Sequence, residues 1–72
     1  MKIIYDPEVD ALHILFQETT VTTEELTDGI AADYDAQGRL AGIEILDAAQ
    51  RLGSREGLRQ VTLEGIGQAV AA

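Results

Sequence analysis

The sequence has no cysteine and no tryptophan, and its aromatic side chains are limited to two tyrosines and one phenylalanine among 72 residues. The absence of cysteine excludes disulfide bonds, which many small domains use to compensate for a small hydrophobic core. A chain of this length buries only about 60% of its unfolded surface, which leaves its net stability low. We therefore expect a single domain over residues 1–72 that is stabilised by metal binding or, as the default, by self-association into a homo-oligomer such as a dimer.

The chain also lacks a long apolar run and an excess of positive charge. Its longest apolar stretch lies within residues 11–16 and is interrupted by His13, whereas a membrane span needs roughly 20 residues. An acidic residue and Pro7 occur before any signal-peptide core develops, so we expect a cytoplasmic protein without membrane contact. The net charge of −8 disfavours DNA as a partner, because phosphate backbones are bound by basic surfaces.

The negative charge is concentrated in the first two thirds of the chain. Residues 1–47 carry 11 acidic side chains against Lys2 and Arg39, a balance of −9, and residues 48–72 carry two glutamates against three arginines, a balance of +1. This asymmetry predicts an acidic sheet surface followed by a nearly neutral tail. We place the core of the domain in residues 1–52 and a variable tail in residues 53–72.

Alternating apolar residues predict four strands, over residues 2–5, 10–16, 28–34 and 39–46. Turn-forming residues join them in pairs, since Asp6-Pro7-Glu8-Val9 and Asp35-Ala36-Gln37-Gly38 both fit type I turns. Gly42 interrupts the alternation of the last strand and indicates a bulge. Residues 17–27 have no sustained period and are interpreted as a loop.

The C-terminal part predicts one short helix. Asp47 and Gln50 resemble a capping box, and the glycines at positions 53 and 57 are expected either to end the helix near Leu52 or to let it continue imperfectly toward Gln60. Residues 61–63 are a candidate fifth short strand, and little fixed structure is expected from Gly65 onward. The predicted fold is α+β, a small antiparallel four-stranded β-meander with a short C-terminal helix, completed by dimerisation.

Two groups of carboxylates are candidate metal ligands. Asp33, Asp35 and Glu44 follow the spacing of a calcium-binding EF-hand loop, but the flanking segments favour strands, so a plain hairpin turn is the preferred interpretation. Asp6, Glu8 and Asp10 form the second group, which would converge with Asp33 and Asp35 if the two hairpins lay side by side. Solvated turns remain the preferred explanation for that group, with calcium or magnesium binding as the alternative.

The remaining polar residues offer little catalytic chemistry. His13 is the only histidine and is expected to pack on the sheet or at a subunit interface with one nitrogen hydrogen-bonded, rather than to act as a ligand or base. We find no nucleophile with partners and no phosphate-binding loop, so we expect no enzyme and no cofactor. Arg51, Arg55 and Arg59 are spaced four residues apart, so they would lie on one side of a continuous helix. They would form either a solvated face or a stripe that binds an acidic partner or RNA.

Three segments together resemble one family. They are Tyr5-Asp6-x-Glu8-x-Asp10-Ala11-Leu12, Gly29-Ile30 with Asp33-Tyr34-Asp35-x-x-Gly38, and Gly42-Ile43-Glu44-Ile45-Leu46-Asp47-Ala48. Over residues 1–52 the chain resembles the small bacterial family of unknown function DUF2283, although His13 stands where that family more often has tyrosine.

The resemblance implies an antiparallel meander with a helix packed near the C-terminus, and it supplies no catalytic residues. It also implies pairing with small toxin-like proteins, which would make the chain antitoxin-like. An acidic surface would suit a small basic partner. We therefore expect a non-catalytic protein-binding module that uses the Asp6, Glu8 and Asp10 group or the three arginines, with calcium or magnesium binding as the alternative function.

Overall fold

A computed structural model describes residues 1–65 and Gly67 of the protein. It consists of a sheet of five strands followed by one helix and a single 3-10 turn. The strands are β1 (Lys2–Asp6), β2 (Ala11–Leu15), β3 (Thr22–Thr27), β4 (Ile30–Tyr34) and β5 (Leu40–Ile45), the helix α1 is Ala48–Arg51, and the 3-10 turn is Glu56–Leu58. The predicted class, a small antiparallel sheet with a short helix, is confirmed.

The number and order of the strands differ from the prediction. The sheet has five antiparallel strands in the order β1-β2-β5-β4-β3, so β2 lies beside β5 and the chain does not follow a simple four-stranded meander. Each predicted hairpin does form, from β1 and β2 and from β4 and β5. The order across hairpins depends on long-range pairing, which the local alternation of residues does not encode.

The additional strand is β3, which falls in the segment interpreted as a loop. All six of its residues, Thr22 to Thr27, are exposed because β3 is an edge strand with little packed on either side. A strand that is solvated on both faces lacks the apolar alternation on which the sequence prediction relies. Its threonines have high β-propensity, which was the only local signal. Residues 61–63, the other candidate for a fifth strand, are not a strand.

The register of the ladder separates two faces of the sheet. Ile3, Ile14, Ile43 and Ala32 are paired in a row across four strands, so their side chains share one face, here called the apolar face. Tyr5, Leu12, Ile45 and Ile30 form the next row of the same face. The opposite face, here called the polar face, carries Ile4, His13, Glu44, Ala31 and Glu25 in one row.

The turn between β4 and β5 has the predicted form. Gly38 has a φ of 79°, and its amide donates to the carbonyl of Asp35 at 3.0 Å. The register then shifts, because Asp33 lies opposite Gly42 while Tyr34 lies opposite Leu40. The bulge indicated by Gly42 is therefore present, with Ala41 as the residue left without a direct partner on β4.

Helix α1 begins where the sequence predicts, but Asp47 does not cap it in the predicted way. Asp47 has a left-handed φ of 52° and makes no side-chain hydrogen bond to the helix. Asp10 takes that role from the turn before β2, because its carbonyl accepts from the amide of Ala48 at 2.9 Å and its carboxylate accepts from Ala49 at 3.0 Å. The cap is thus provided by a residue 39 positions away, which a local sequence motif does not reveal.

The helix lies at one end of the sheet, where Ala48 and Ala49 are hydrogen-bonded to Asp10. It has four residues, and at 1.5 Å per residue it is only about 6 Å long. No large side chain is fully buried among the described residues, and the core consists of Leu12, Ala32, Ala41, Ala48 and Ala49. Within residues 1–65 and Gly67, no helix is long and apolar enough to cross a membrane.

Candidate functional site

Three adjacent strands bring a histidine and two carboxylates together at the centre of the polar face. His13 on β2 is paired directly with Glu44 on β5. Asp33 on β4 is paired with Gly42, which lies two residues before Glu44 on β5. One ligand atom from each of His13, Asp33 and Glu44 lies within 4.8 Å of the other two. We call these three residues the polar cluster.

Asp33 is the most buried member of the polar cluster, at 4% exposure. The hydroxyl of Thr23 on β3 donates to its Oδ1 at 2.6 Å, which leaves Oδ2 facing Nε2 of His13 at 3.2 Å. The hydrogen bond from Thr23 is the main cause that lowers the pKa of Asp33, and the one with His13 adds to it. Asp33 is therefore held ionised and in a fixed orientation.

Glu44 is shifted in the opposite direction. Burial raises the pKa of Glu44, and the negative charge of Asp33 beside it raises that pKa further. Two neighbouring carboxylates repel one another unless a cation or a proton compensates them. In the described part of the chain the ion pairs formed by lysine or arginine are Lys2–Glu18, Arg39–Asp35 and Arg59–Glu56, none of which reaches the polar cluster.

Gly42 leaves open the space between the members of the polar cluster. A Cβ atom there would lie 3.1 Å from Oδ2 of Asp33 and 3.4 Å from Nε2 of His13. It would also lie 2.9 Å from the carbonyl oxygen of Ile14. Gly42 has no positive φ, so glycine is needed here for space and not for backbone conformation.

Asp35, the third predicted metal ligand, does not join the polar cluster. Its Oδ1 accepts from the amides of Gln37 and Arg39, and its Oδ2 accepts from the side chains of Gln17 and Arg39. These donors, first among them the amide of Arg39, lower the pKa of Asp35. The carboxylate thus stabilises the turn. The flanking elements are strands β4 and β5, which excludes the helix–loop–helix form of an EF-hand.

The Asp6, Glu8 and Asp10 group lies at the other end of the sheet, so its predicted convergence with Asp33 and Asp35 is wrong. The reason is that β2 runs antiparallel to β5, which puts the β1–β2 turn beside the end of β5. Asp6 accepts from the amide of Glu8 at 3.0 Å. Asp10 is occupied by the hydroxyl of Tyr5 at 2.6 Å and by the start of α1.

The three arginines do not lie along one helix, because α1 ends at Arg51 and Gly53 takes a φ of 97°. Arg51 donates to the carbonyls of Leu46 and Asp28 and passes over Gly29, so it fastens the β3–β4 turn to the end of β5. Arg59 pairs with Glu56, and Arg55 lines a pocket with Tyr5 and Pro7.

The sequence does not indicate that His13 lies beside Asp33 and Glu44, nor that Thr23 and Gly42 border them. The expectation of one hydrogen-bonded nitrogen on His13 agrees with its contact to Asp33. Its partners are 20 and 31 positions away and meet it only through the sheet register. The alternation of residues within each strand indicates which residues share a face of the sheet. The strand order is also needed to show which of those residues are neighbours on adjacent strands.

The fold and the polar cluster define a small α+β domain built on one antiparallel sheet. A family model described as "Protein of unknown function (DUF2283)" matches residues 2–48 of the 72. The chain belongs to this family. The match includes all five strands and the polar cluster, and it ends at the first residue of α1. Comparison with curated proteins and with solved structures gave no match.

Proposed function

We propose that the chain is a non-catalytic protein-binding module that binds through the apolar face of its sheet. The observation that carries the proposal is that, among residues 1–65 and Gly67, the sheet has no second layer and is accompanied only by the four-residue α1 and by the 3-10 turn that borders Tyr5. A sheet with an apolar face is normally buried against a second layer. In this chain Ile3 is 38% exposed, and Ile14, Ile43 and Ile45 are only half-buried.

The exposed surface of the chain supports the same proposal. The accessible surface is 5608 Å², whereas a folded monomer of 7.7 kDa exposes about 4300 Å². The excess of about 1300 Å² is larger than the surface of about 800 Å² that a standard interface covers on each partner. The open surface is thus large enough for a stable interface.

The first partner in this proposal is a second copy of the chain. Two copies that place their apolar faces together form a two-layer sandwich, with the sheets about 10 Å apart. A face-to-face contact of this kind is self-complementary, because each copy presents the same rows of isoleucines to the other. The polar faces then lie on the outside of the dimer.

The polar face is the surface for a second, basic partner, as in an antitoxin-like protein. Glu25, Asp28 and Glu44 line an open cavity of about 460 Å³ at this face. A lysine or arginine side chain of a basic protein fits such a cavity by charge. The net charge of −8 would also attract that protein over longer distances and make the association sensitive to salt.

Sedimentation equilibrium of the native chain tests this function. We expect a mass of twice 7.7 kDa at micromolar concentration and a melting temperature that rises with protein concentration, because association stabilises the folded state. A mass of 7.7 kDa at all concentrations, with a melting temperature independent of concentration, would contradict the self-association. If a basic protein is captured from a native lysate, its binding should be lost at high salt and weakened by Glu25→Gln.

A further inference from the structure

We propose that His13, Asp33 and Glu44 form a binding site for one divalent transition-metal ion per chain, with Zn²⁺ as the ion that fits best. The site is on the polar face, and it is separate from the apolar face on which the proposed self-association depends. It also differs from calcium or magnesium binding by acidic turns, because its donors come from three strands and include an imidazole.

The donor set selects the class of metal. One imidazole nitrogen and two carboxylate oxygens are a common ligand set for Zn²⁺ and related ions, and three protein ligands leave a position open for water. Calcium and magnesium prefer oxygen ligands alone. A nitrogen donor at the centre of the polar cluster therefore favours a transition metal over either of them.

The geometry is close to that of an occupied site. Two ligands of a tetrahedral zinc ion, each about 2.1 Å from the metal, are about 3.4 Å apart. Nε2 of His13 and Oδ2 of Asp33 are already 3.2 Å apart. Glu44 has a carboxylate oxygen within 4.8 Å of both, so it is the ligand that has to move closer when an ion binds.

The open space at Gly42 supports a metal site independently of the donor atoms. Its backbone conformation does not require glycine, and a Cβ there would press on Asp33 and His13 and into the carbonyl of Ile14. The strand thus omits a side chain at the point where an ion would lie between its ligands. Thr23 adds the outer contact that metal-ligating carboxylates commonly have, because it holds Oδ1 of Asp33 and directs Oδ2 inward.

The charge and the solvent accessibility of the polar cluster also favour a bound cation. The polar cluster contains two carboxylates with no lysine or arginine among the ion pairs that the described residues form there. A divalent ion supplies the missing positive charge. The side chain of His13 is 33% exposed, so the ion can reach the site from solvent.

Calorimetric titration of the metal-free full chain with zinc chloride tests the proposal, with proton NMR of the imidazole as a second readout. His13 is the only histidine, so its ring protons give a single set of resonances that reports on this site alone. We expect one ion per chain and a shift of the His13 ring resonances that is complete at the same stoichiometry.

Matched variants separate this site from general binding to an acidic surface. His13→Gln and Glu44→Gln should each weaken zinc binding at least 100-fold, and Thr23→Val should weaken it about 10-fold, as loss of an outer contact does. Glu25→Gln removes a carboxylate from the same face outside the polar cluster and should leave the affinity within about threefold. Glu44→Gln also relieves the repulsion with Asp33, so this variant is expected to fold.

The proposal is overturned if millimolar zinc leaves the His13 resonances unchanged. It is also overturned if Glu25→Gln weakens binding as much as Glu44→Gln does, since the ion would then be held by surface charge alone. A chain that is monomeric and still binds one zinc ion would contradict the proposed self-association and support the metal site. A dimer that binds no zinc would support the self-association and contradict the metal site.

Discussion

Replacing Asp10 by alanine is expected to lower the melting temperature by roughly 10 °C, because one side chain connects two parts of the fold. Its carboxylate accepts from the hydroxyl of Tyr5 at 2.6 Å and from the amide of Ala49 at 3.0 Å. Asp10 also has a left-handed φ of 52°, which alanine adopts less readily than aspartate or asparagine. The variant therefore loses the helix cap and gains backbone strain.

Asp10→Asn is the matched control. It retains an oxygen acceptor and tolerates the left-handed backbone, so it should keep most of the melting temperature that Asp10→Ala loses at neutral pH. Thermal unfolding of both variants and the native chain at one protein concentration measures this difference. Equal melting temperatures for the two variants would contradict the assigned hydrogen bonds.

The stability of the native chain and that of Asp10→Asn are expected to depend differently on pH. The hydrogen bond from Tyr5, and then that from Ala49, lowers the pKa of Asp10 in the folded chain. A carboxyl whose folded pKa is lowered stabilises the fold above its unfolded pKa of about 4, and that stability is lost as pH falls through the folded pKa. Asp10→Asn has no such titration, so its stability should fall less steeply below about pH 4 than that of the native chain.

Gly42→Ala is expected to lower the melting temperature by roughly 5–15 °C through steric overlap. The added Cβ would lie 2.9 Å from the carbonyl oxygen of Ile14, which belongs to the backbone of the neighbouring strand. That oxygen cannot move away without disturbing the pairing of β2 with β5, and the same Cβ would press on Asp33 and His13. The His13 ring resonances should therefore change as well.

Gly57→Ala provides the comparison for the Gly42 variant. The nearest atom to a Cβ at position 57 is Oγ of Ser54, at 3.9 Å, and the residue has no positive φ. Alanine there should change the melting temperature by less than roughly 3 °C, or raise it slightly by restricting the unfolded chain. Similar losses for both variants, measured by thermal unfolding, would mean that contact with Ile14 is not the cause.

The sequence predicts the local parts of this fold well. Residues that alternate between apolar and polar mark β1, β2, β4 and β5, and the Asp35 to Gly38 motif marks the tight turn. Both signals act between near neighbours in the chain. The helix start near Asp47 is local for the same reason, although the residue that caps it is not.

The candidate site could be predicted only in part. The EF-hand spacing makes Asp33 and Glu44 candidate ligands beside the preferred hairpin turn, and they do lie together, but through the pairing of β4 with β5 and not through a calcium loop. Asp35 matched the spacing and instead supports the turn. His13 meets both carboxylates because β2 inserts beside β5, which is a property of strand order and cannot be obtained from spacing along the chain.

The central claim, that the apolar face is the binding surface, is tested most directly by the mass of two single-residue variants in solution. Ile3 and Ile4 are adjacent in β1 and are 38% and 42% exposed, but they lie on the apolar and polar faces respectively. We predict that Ile4→Glu keeps the mass of a dimer and that Ile3→Glu sediments at 7.7 kDa. Equal masses for the two variants, or dissociation by Ile4→Glu alone, would contradict the account.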